Sequence, residues 1–279
     1  MKNLYKLLLI NFMTIYSFTA CTKEGEKISQ TCYLTKVVTH LENRDARPYA
    51  IGDNSTEYLY DNNGKLIQIN SYSDTIGTLS FFTKFIYNND YVIKITPWEG
   101  ADTAIVIYNS DNLVTRLNNY HKYYHNSGVD YYLDNYIVYT YDINKKYLIA
   151  DTTYARDLDY RGISYRRYEY DNNGNCFKRT YFDRNYDFNT LSDFKCYSIS
   201  ESEFSSVLSP YLNVSKNVPT PQMKFCPSKE VLKNGLGEIV NNEDVINYTY
   251  VPNEFNYPTK SIETFGNKTI TSKYFYMCQ

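Results

Sequence analysis

His121 and His125, in His-Lys-Tyr-Tyr-His, have the spacing in this chain that most resembles a pair of metal ligands. On a helix, residues four apart could meet at one ion. On a strand they share a face but lie about 13 Å apart, too far for one coordination sphere. The residues around them alternate as a strand does, so no metal site is expected. His40 is the only other histidine. Asp183-Arg184-Asn185-Tyr186-Asp187 has the first half of a calcium loop. However, Phe188 stands where the sharp turn needs Gly, and Phe194 stands where a bidentate Glu closes the loop, which excludes an EF-hand. Asp157 and Asp159 flank Leu158. Paired carboxylates hydrolyse glycosides, but only at a separation that sequence spacing does not set. There is no Gly-x-Ser-x-Gly elbow, phosphate-binding loop or dinucleotide fingerprint. The expectation is therefore no catalytic residue, no metal and no cofactor.

What remains for recognition is aromatic surface. The chain of 279 residues holds 33 tyrosines but a single tryptophan, Trp98. Between residues 120 and 141 tyrosines fall on both parities of a strand: Tyr123 and Tyr131 on one, Tyr124, Tyr132 and Tyr136 on the other, with Tyr120 at the start. Exposed aromatic rings stack on sugars or hold a protein partner, whereas most tyrosines in a sheet pack across strands. Tyr120, Tyr123, Tyr124, Tyr131, Tyr132 and Tyr136 are the candidate binding residues. The net charge of −2 gives no basic field, so a nucleic-acid partner is not expected.

The elements that must position these side chains are strands. Tyr58-Leu59-Tyr60-Asp61-Asn62-Asn63-Gly64 returns as Tyr168-Glu169-Tyr170-Asp171-Asn172-Asn173-Gly174, with looser echoes at 85–90, 106–111 and 139–142. Alternating tyrosines suit a pleated, half-buried ribbon. Asp61 and Asp171 can accept hydrogen bonds from the amides of a tight turn. Gly64 and Gly174 can take the left-handed conformation that closes it. Turn signals recur about every ten residues, which predicts one antiparallel β-meander, twisted and curled toward a barrel-like form. Residues 201–224 break the rhythm. Glu201 to Leu212 reads as one short helix, and Asn213 to Gln222 as a loop, an insertion within a single domain over 31–279.

The pattern Tyr-x-Tyr-Asp-x-x-Gly-x-Leu of Tyr58 to Leu66 resembles the tyrosine-aspartate repeat of bacterial shell and cell-surface proteins. The stretches Phe225-Cys226-Pro227-Ser228-Lys229, Tyr248-Thr249-Tyr250, Asn256 to Lys260 and Tyr274-Phe275-Tyr276 resemble the C-terminal part of a family of Bacteroidetes lipoproteins of unknown function. The resemblance covers most of residues 31–279. It implies a continuous meander curled on itself and carries over no catalytic residue. Asn253-Glu254-Phe255-Asn256 lacks the turn glycine, which implies a wider hairpin there.

Residues 1–20 read as a secretion signal: Lys2 and Lys6, an apolar run from Leu7 to Phe18, then Thr19-Ala20-Cys21. This resembles a bacterial lipoprotein signal in which Cys21 is lipidated, with Phe18 in the usual place of Leu. Cleavage near Ala20 by an ordinary signal peptidase is the alternative. Residues 21–30 then form a polar tether, and the expected location is the outer membrane, on either its periplasmic or its surface side. Without Cys21 five cysteines remain, so they cannot all pair within one chain. Cys176 and Cys196 lie in neighbouring segments and could bridge, and Cys32 and Cys278 occupy the first and last strands. Buried free thiols fit equally well. The functional expectation is a non-enzymatic envelope lipoprotein that binds a protein or glycan. The alternatives are an assembly component pairing through sheet edges, or a hydrolase.

Overall fold

The computed structural model describes residues 32–43, 52–73, 79–88, 91–96, 102–125, 128–144, 147–155, 162–183, 186–187, 190–191, 194–212, 221 and 223–278. The expected signal, tether and Cys21, with Trp98, Asp157 and Asp159, lie outside these residues. The body Tyr33–Met277 is all β. Its strands are β1 (Cys32–Asn43), β2 (Gly52–Tyr60), β3 (Leu66–Tyr72), β4 (Leu79–Tyr87), β5 (Tyr91–Thr96) and β6 (Asp102–Tyr108). Next come β7 (Val114–His125), β8 (Gly128–Tyr141), β9 (Leu148–Ala155), β10 (Gly162–Tyr170) and β11 (Cys176–Asp183). After the small ribbon of β12 (Tyr186–Asp187) and β13 (Thr190–Leu191) follow β14 (Lys195–Leu208), β15 (Phe225–Asn234), β16 (Val245–Pro252), β17 (Pro258–Phe265) and β18 (Lys268–Cys278). Apart from that ribbon, neighbours in sequence are neighbours in one antiparallel sheet, as the repeated hairpin signals predict. The order closes on itself through β1, which pairs with β2 and also sits beside β18. Across this seam Thr35 Oγ1 donates to the Phe275 carbonyl at 3.0 Å, and Thr39 and Ser272 share a hydrogen bond of 3.2 Å.

One turn design recurs at one end of the barrel. Asp61 Oδ1 accepts the amides of Asn63 and Lys65, both at 2.9 Å, and Asp171 Oδ1 accepts those of Asn173 and Asn175 at 2.9 and 2.8 Å. Gly64 and Gly174 sit at φ 73° and 82°. Asn253 opens the same turn, and Asn256, at φ 65°, stands where the glycine would be. The hairpin at 253–256 is therefore not wider, contrary to expectation. Asparagine tolerates the left-handed region, and here its Nδ2 also donates to the Ser206 carbonyl at 2.7 Å, which glycine could not do.

A tyrosine near the end of several strands has a role that the turn does not require. At the turns after Tyr60, Tyr141 and Tyr170 the register shifts by one residue, and these tyrosines, with Tyr87 and Tyr276, reach back to the strand before. Tyr60 OH donates to the Leu34 carbonyl at 2.8 Å, Tyr87 to Leu66 at 2.5 Å, Tyr141 to Val114 at 2.9 Å, Tyr170 to Leu148 at 2.8 Å and Tyr276 to Pro258 at 2.8 Å. Each latch satisfies a half-buried hydroxyl and a carbonyl at the end of a strand. Burial raises the phenols of Tyr60, Tyr141 and Tyr276, that of Tyr141 to about 12. Another tyrosine covers the turn: the Tyr33 ring lies 5.3 Å from Tyr60, and Tyr147 lies 4.6 Å from Tyr170. A Cβ on Gly64 would fall 2.7 Å from Tyr33 Oη, and one on Gly174 would fall 2.7 Å from Tyr147 Oη. Gly64→Val therefore loses about 1–2 kcal/mol from the left-handed backbone alone. Tyr33 must also move, so thermal unfolding should shift further for this variant than for Asp61→Ala, which costs about 1 kcal/mol. An unchanged melting temperature for Gly64→Val would refute this turn assignment.

The expected helix over 201–212 is absent. Residues 195–208 form β14, whose Glu201 pairs with Lys233 at 2.5 Å and Glu203 with Lys229 at 3.7 Å, both on the neighbouring strand. Tertiary pairing overrides the local helical preference. Ser209 to Leu212 turn, and 213–220 lie outside the described residues. Cys32 and Cys278 are disulfide-bonded, while Cys176, Cys196 and Cys226 are free thiols. The suggested Cys176–Cys196 bridge does not form. Cys196 opposes Phe182, six residues along β11 from Cys176, or about 20 Å, whereas a disulfide needs Cα atoms within about 7 Å.

Leu34, Val37, Leu66, Phe85, Val106, Leu117, Tyr139 and Tyr168 form a buried cluster on the inner face. The outer face carries both exposed apolar side chains, among them Leu59, Ile67, Ile86, Ile149, Phe177 and Phe275, and charge. Lys36–Glu57 joins β1 to β2 at 2.9 Å, Lys178–Glu169 joins β11 to β10 at 3.8 Å, and the two pairs above join β14 to β15.

Candidate functional site

The register carries a polar row along the inner wall from β9 to β17. Asp151 is 2% exposed, and it accepts Arg166 Nε at 2.8 Å and Tyr168 OH at 2.5 Å. Tyr168 faces Arg179, Arg179 faces Ser200, and Tyr248 faces Glu263. Glu230, on the strand between, accepts Ser200 Oγ at 2.5 Å and Tyr248 OH at 3.3 Å. Asp151 is thus fully engaged, and its group is a structural tie.

The far end of this row is less complete. Arg179 donates through Nη2 to the Met223 sulfur at 3.4 Å, a weak acceptor, and its Nε is buried with no hydrogen-bond partner. Burial, and then the charge of Glu230, raise the Glu263 carboxyl above the usual carboxylate range. Burial likewise lifts the phenols of Tyr248 and Tyr250, whose rings stand parallel with centroids 6.4 Å apart. Tyr211, from the turn after β14, hydrogen-bonds Tyr58 and lies near Tyr274 and Glu263. Its residue is 49% exposed, so Tyr211 borders solvent on one side, while burial raises its phenol. Aromatic faces, two carboxylates and an under-used guanidinium surround the space among these side chains. None of these residues stands out in the sequence, because they are scattered over six strands and one turn. The readable signal is a charged residue on the parity otherwise held by tyrosine, as at Arg166 and Arg179.

The tyrosines singled out from sequence lie mainly on β7 and β8. Tyr136 stacks on Tyr154 with centroids 4.9 Å apart, and the Arg116 guanidinium lies 3.8 Å above its other face. Tyr131 is 54% and Tyr132 38% exposed, and the Tyr132 ring lies 5.5 Å from His121. Tyr120 is half-buried. The side chains of Tyr123, Tyr124 and His125 lie outside the described residues. A register shift between Asn119 and Tyr120 places one extra residue in β8 and interrupts the alternation that would align Tyr132 with Tyr136. Among the described residues no three His, Cys, Asp or Glu side chains form a metal-binding group.

No protein-family model matches the chain, and no curated protein sequence matches it. Solved structures do. A porin-like protein from Bacteroides uniformis ATCC 8492 superposes with a TM-score of 0.56 at 13% identity, over 88% of this chain and 96% of that one. A porin-like protein from Bacteroides vulgatus ATCC 8482 gives 0.54 at 12% identity, over 88% and 99%. The Photorhabdus luminescens Tc holotoxin pore aligns over 86% of this chain and 11% of that one at 13% identity, and its TM-score of 0.29 carries no argument. What the chain shares with the two Bacteroides proteins is the fold.

Proposed function

We propose that this protein is a lipid-tethered component of the bacterial envelope whose barrel stands in water and binds a glycan without turning it over. The observation that carries this reading is the set of ion pairs that interrupts the apolar side chains of the outer wall, around an apolar and tyrosine-lined interior. A barrel that crosses a membrane needs the reverse, an outward apolar band roughly 25 Å tall. Lys36–Glu57, Glu169–Lys178 and Glu201–Lys233 would each place charge in such a band. The leader at residues 1–21 supports export and an anchor at Cys21, and the two porin-like neighbours support an envelope setting. Assembly through sheet edges is disfavoured, since every strand of the main sheet is paired on both sides. A hydrolase is the second reading, favoured by Glu230 and Glu263 facing one space.

Radiolabelled palmitate tests the anchor. Wild type should take up label and fractionate with membranes, and Cys21→Ser should take up none and either leave the membrane or stall unprocessed. Equal mature mass and equal membrane fractionation of the two would refute lipidation at Cys21. Release of new reducing ends from any glycan by the purified protein would replace the binding reading with the hydrolytic one.

A further inference from the structure

From the inner wall of β11, β14, β15, β16 and β17 we infer a saccharide-binding site, built by Arg179, Glu230, Glu263, Tyr248 and Tyr250. This rests on the glycan-binding reading and gives it a location inside the barrel, not on the outer tyrosines.

The argument runs from what each group lacks. Arg179 Nε is a buried donor without an acceptor, and such a group is costly unless a ligand or water completes it. Glu230 takes two donors from the protein, whereas Glu263 beside it accepts none among the described residues, and burial with the charge of Glu230 raises its carboxyl. A ligand completing this set must accept from a guanidinium and donate to carboxylates in the same few ångströms. Sugar hydroxyls do both. The parallel rings of Tyr248 and Tyr250 offer the flat apolar faces on which the C–H side of a pyranose packs. An anionic ligand meets the two glutamates. A metal ion would need a third ligating group, and the described residues gather no set of three. A folded protein cannot enter a wall that closes on itself. A small ligand would enter past Tyr211, which is 49% exposed.

The test uses the full chain, expressed with its leader and purified in a detergent that contains no sugar. Calorimetric titration with maltohexaose, xylohexaose, mannohexaose and chitohexaose should show binding of at least one. Glu263→Gln and Arg179→Met should each weaken that binding at least tenfold, and Tyr131→Ser on the outer strip should change it less than twofold. Glu263→Gln removes a repulsion, so its loss of affinity cannot be assigned to misfolding, and thermal melts check Arg179→Met. If a hexasaccharide binds and only Tyr131→Ser weakens it, the inner site is wrong and the glycan reading stands. If no hexasaccharide binds but calcium does, and Glu263→Gln abolishes it, the site is one for cations. If neither binds, the inner site falls. Capture of an envelope protein by the same preparation would then replace a glycan with a protein partner, and failure of that capture would remove the binding reading as well.

Discussion

Replacing Cys32 and Cys278 together by serine lowers the stability of the barrel by about 4–5 kcal/mol. The bond joins residues 246 apart, the first of β1 and the last of β18. In the unfolded chain it closes a loop that spans nearly the whole domain, and the entropy removed grows with the logarithm of loop length. Under the proposed export the bond would meet oxidising conditions in which it persists. Equilibrium unfolding in guanidinium, with and without a reductant, measures the effect. Wild type under reducing conditions should approach the double serine variant, whose midpoint should not respond to reductant. A difference below about 1 kcal/mol would mean that the hydrogen bonds across the seam hold the ends without covalent help.

Asp151→Ala is the most damaging side-chain truncation we expect in the interior. It leaves Arg166 and the Tyr168 hydroxyl without their acceptor. Breaking a buried charged pair from one side costs about 3–5 kcal/mol. Arg166 is 37% exposed at its side chain and can turn partly to water, which places the estimate near 3 kcal/mol. Asp151→Asn keeps an acceptor for Tyr168 and should lose less. The two variants are compared by denaturant midpoints at neutral pH. Equal midpoints for Asp151→Ala and wild type would show that the triad contributes no net stability.

The turns were legible because their chemistry is local. Asp61 and Gly64 bond within five residues, so the phrase that encodes them is also the phrase that closes the hairpin. The latches were not legible, since Tyr60 and Tyr141 bond carbonyls 26 and 27 residues back, and only the assembled sheet brings these together. The misread helix at 201–212 has the same cause. Glu201 and Glu203 suit a helix when read alone, and their partners Lys233 and Lys229 arrive from the next strand. Asn256 shows the opposite error, in which a missing glycine suggested a different turn although asparagine supplies both the backbone angle and an added bond. The inner polar wall was invisible because its members are single residues on separate strands. The densest tyrosines of the sequence lie instead on β7 and β8, where Tyr136 already packs against both Arg116 and Tyr154.

The central claim is that this barrel presents its charged face to water and not to lipid. Sedimentation velocity of residues 22–279, produced without the leader and kept free of detergent throughout, tests it most directly. The account predicts a single sharp boundary with strand-rich circular dichroism. Aggregation relieved only by detergent, together with ion conductance when the protein is added to planar bilayers, would contradict it and make the chain a membrane pore.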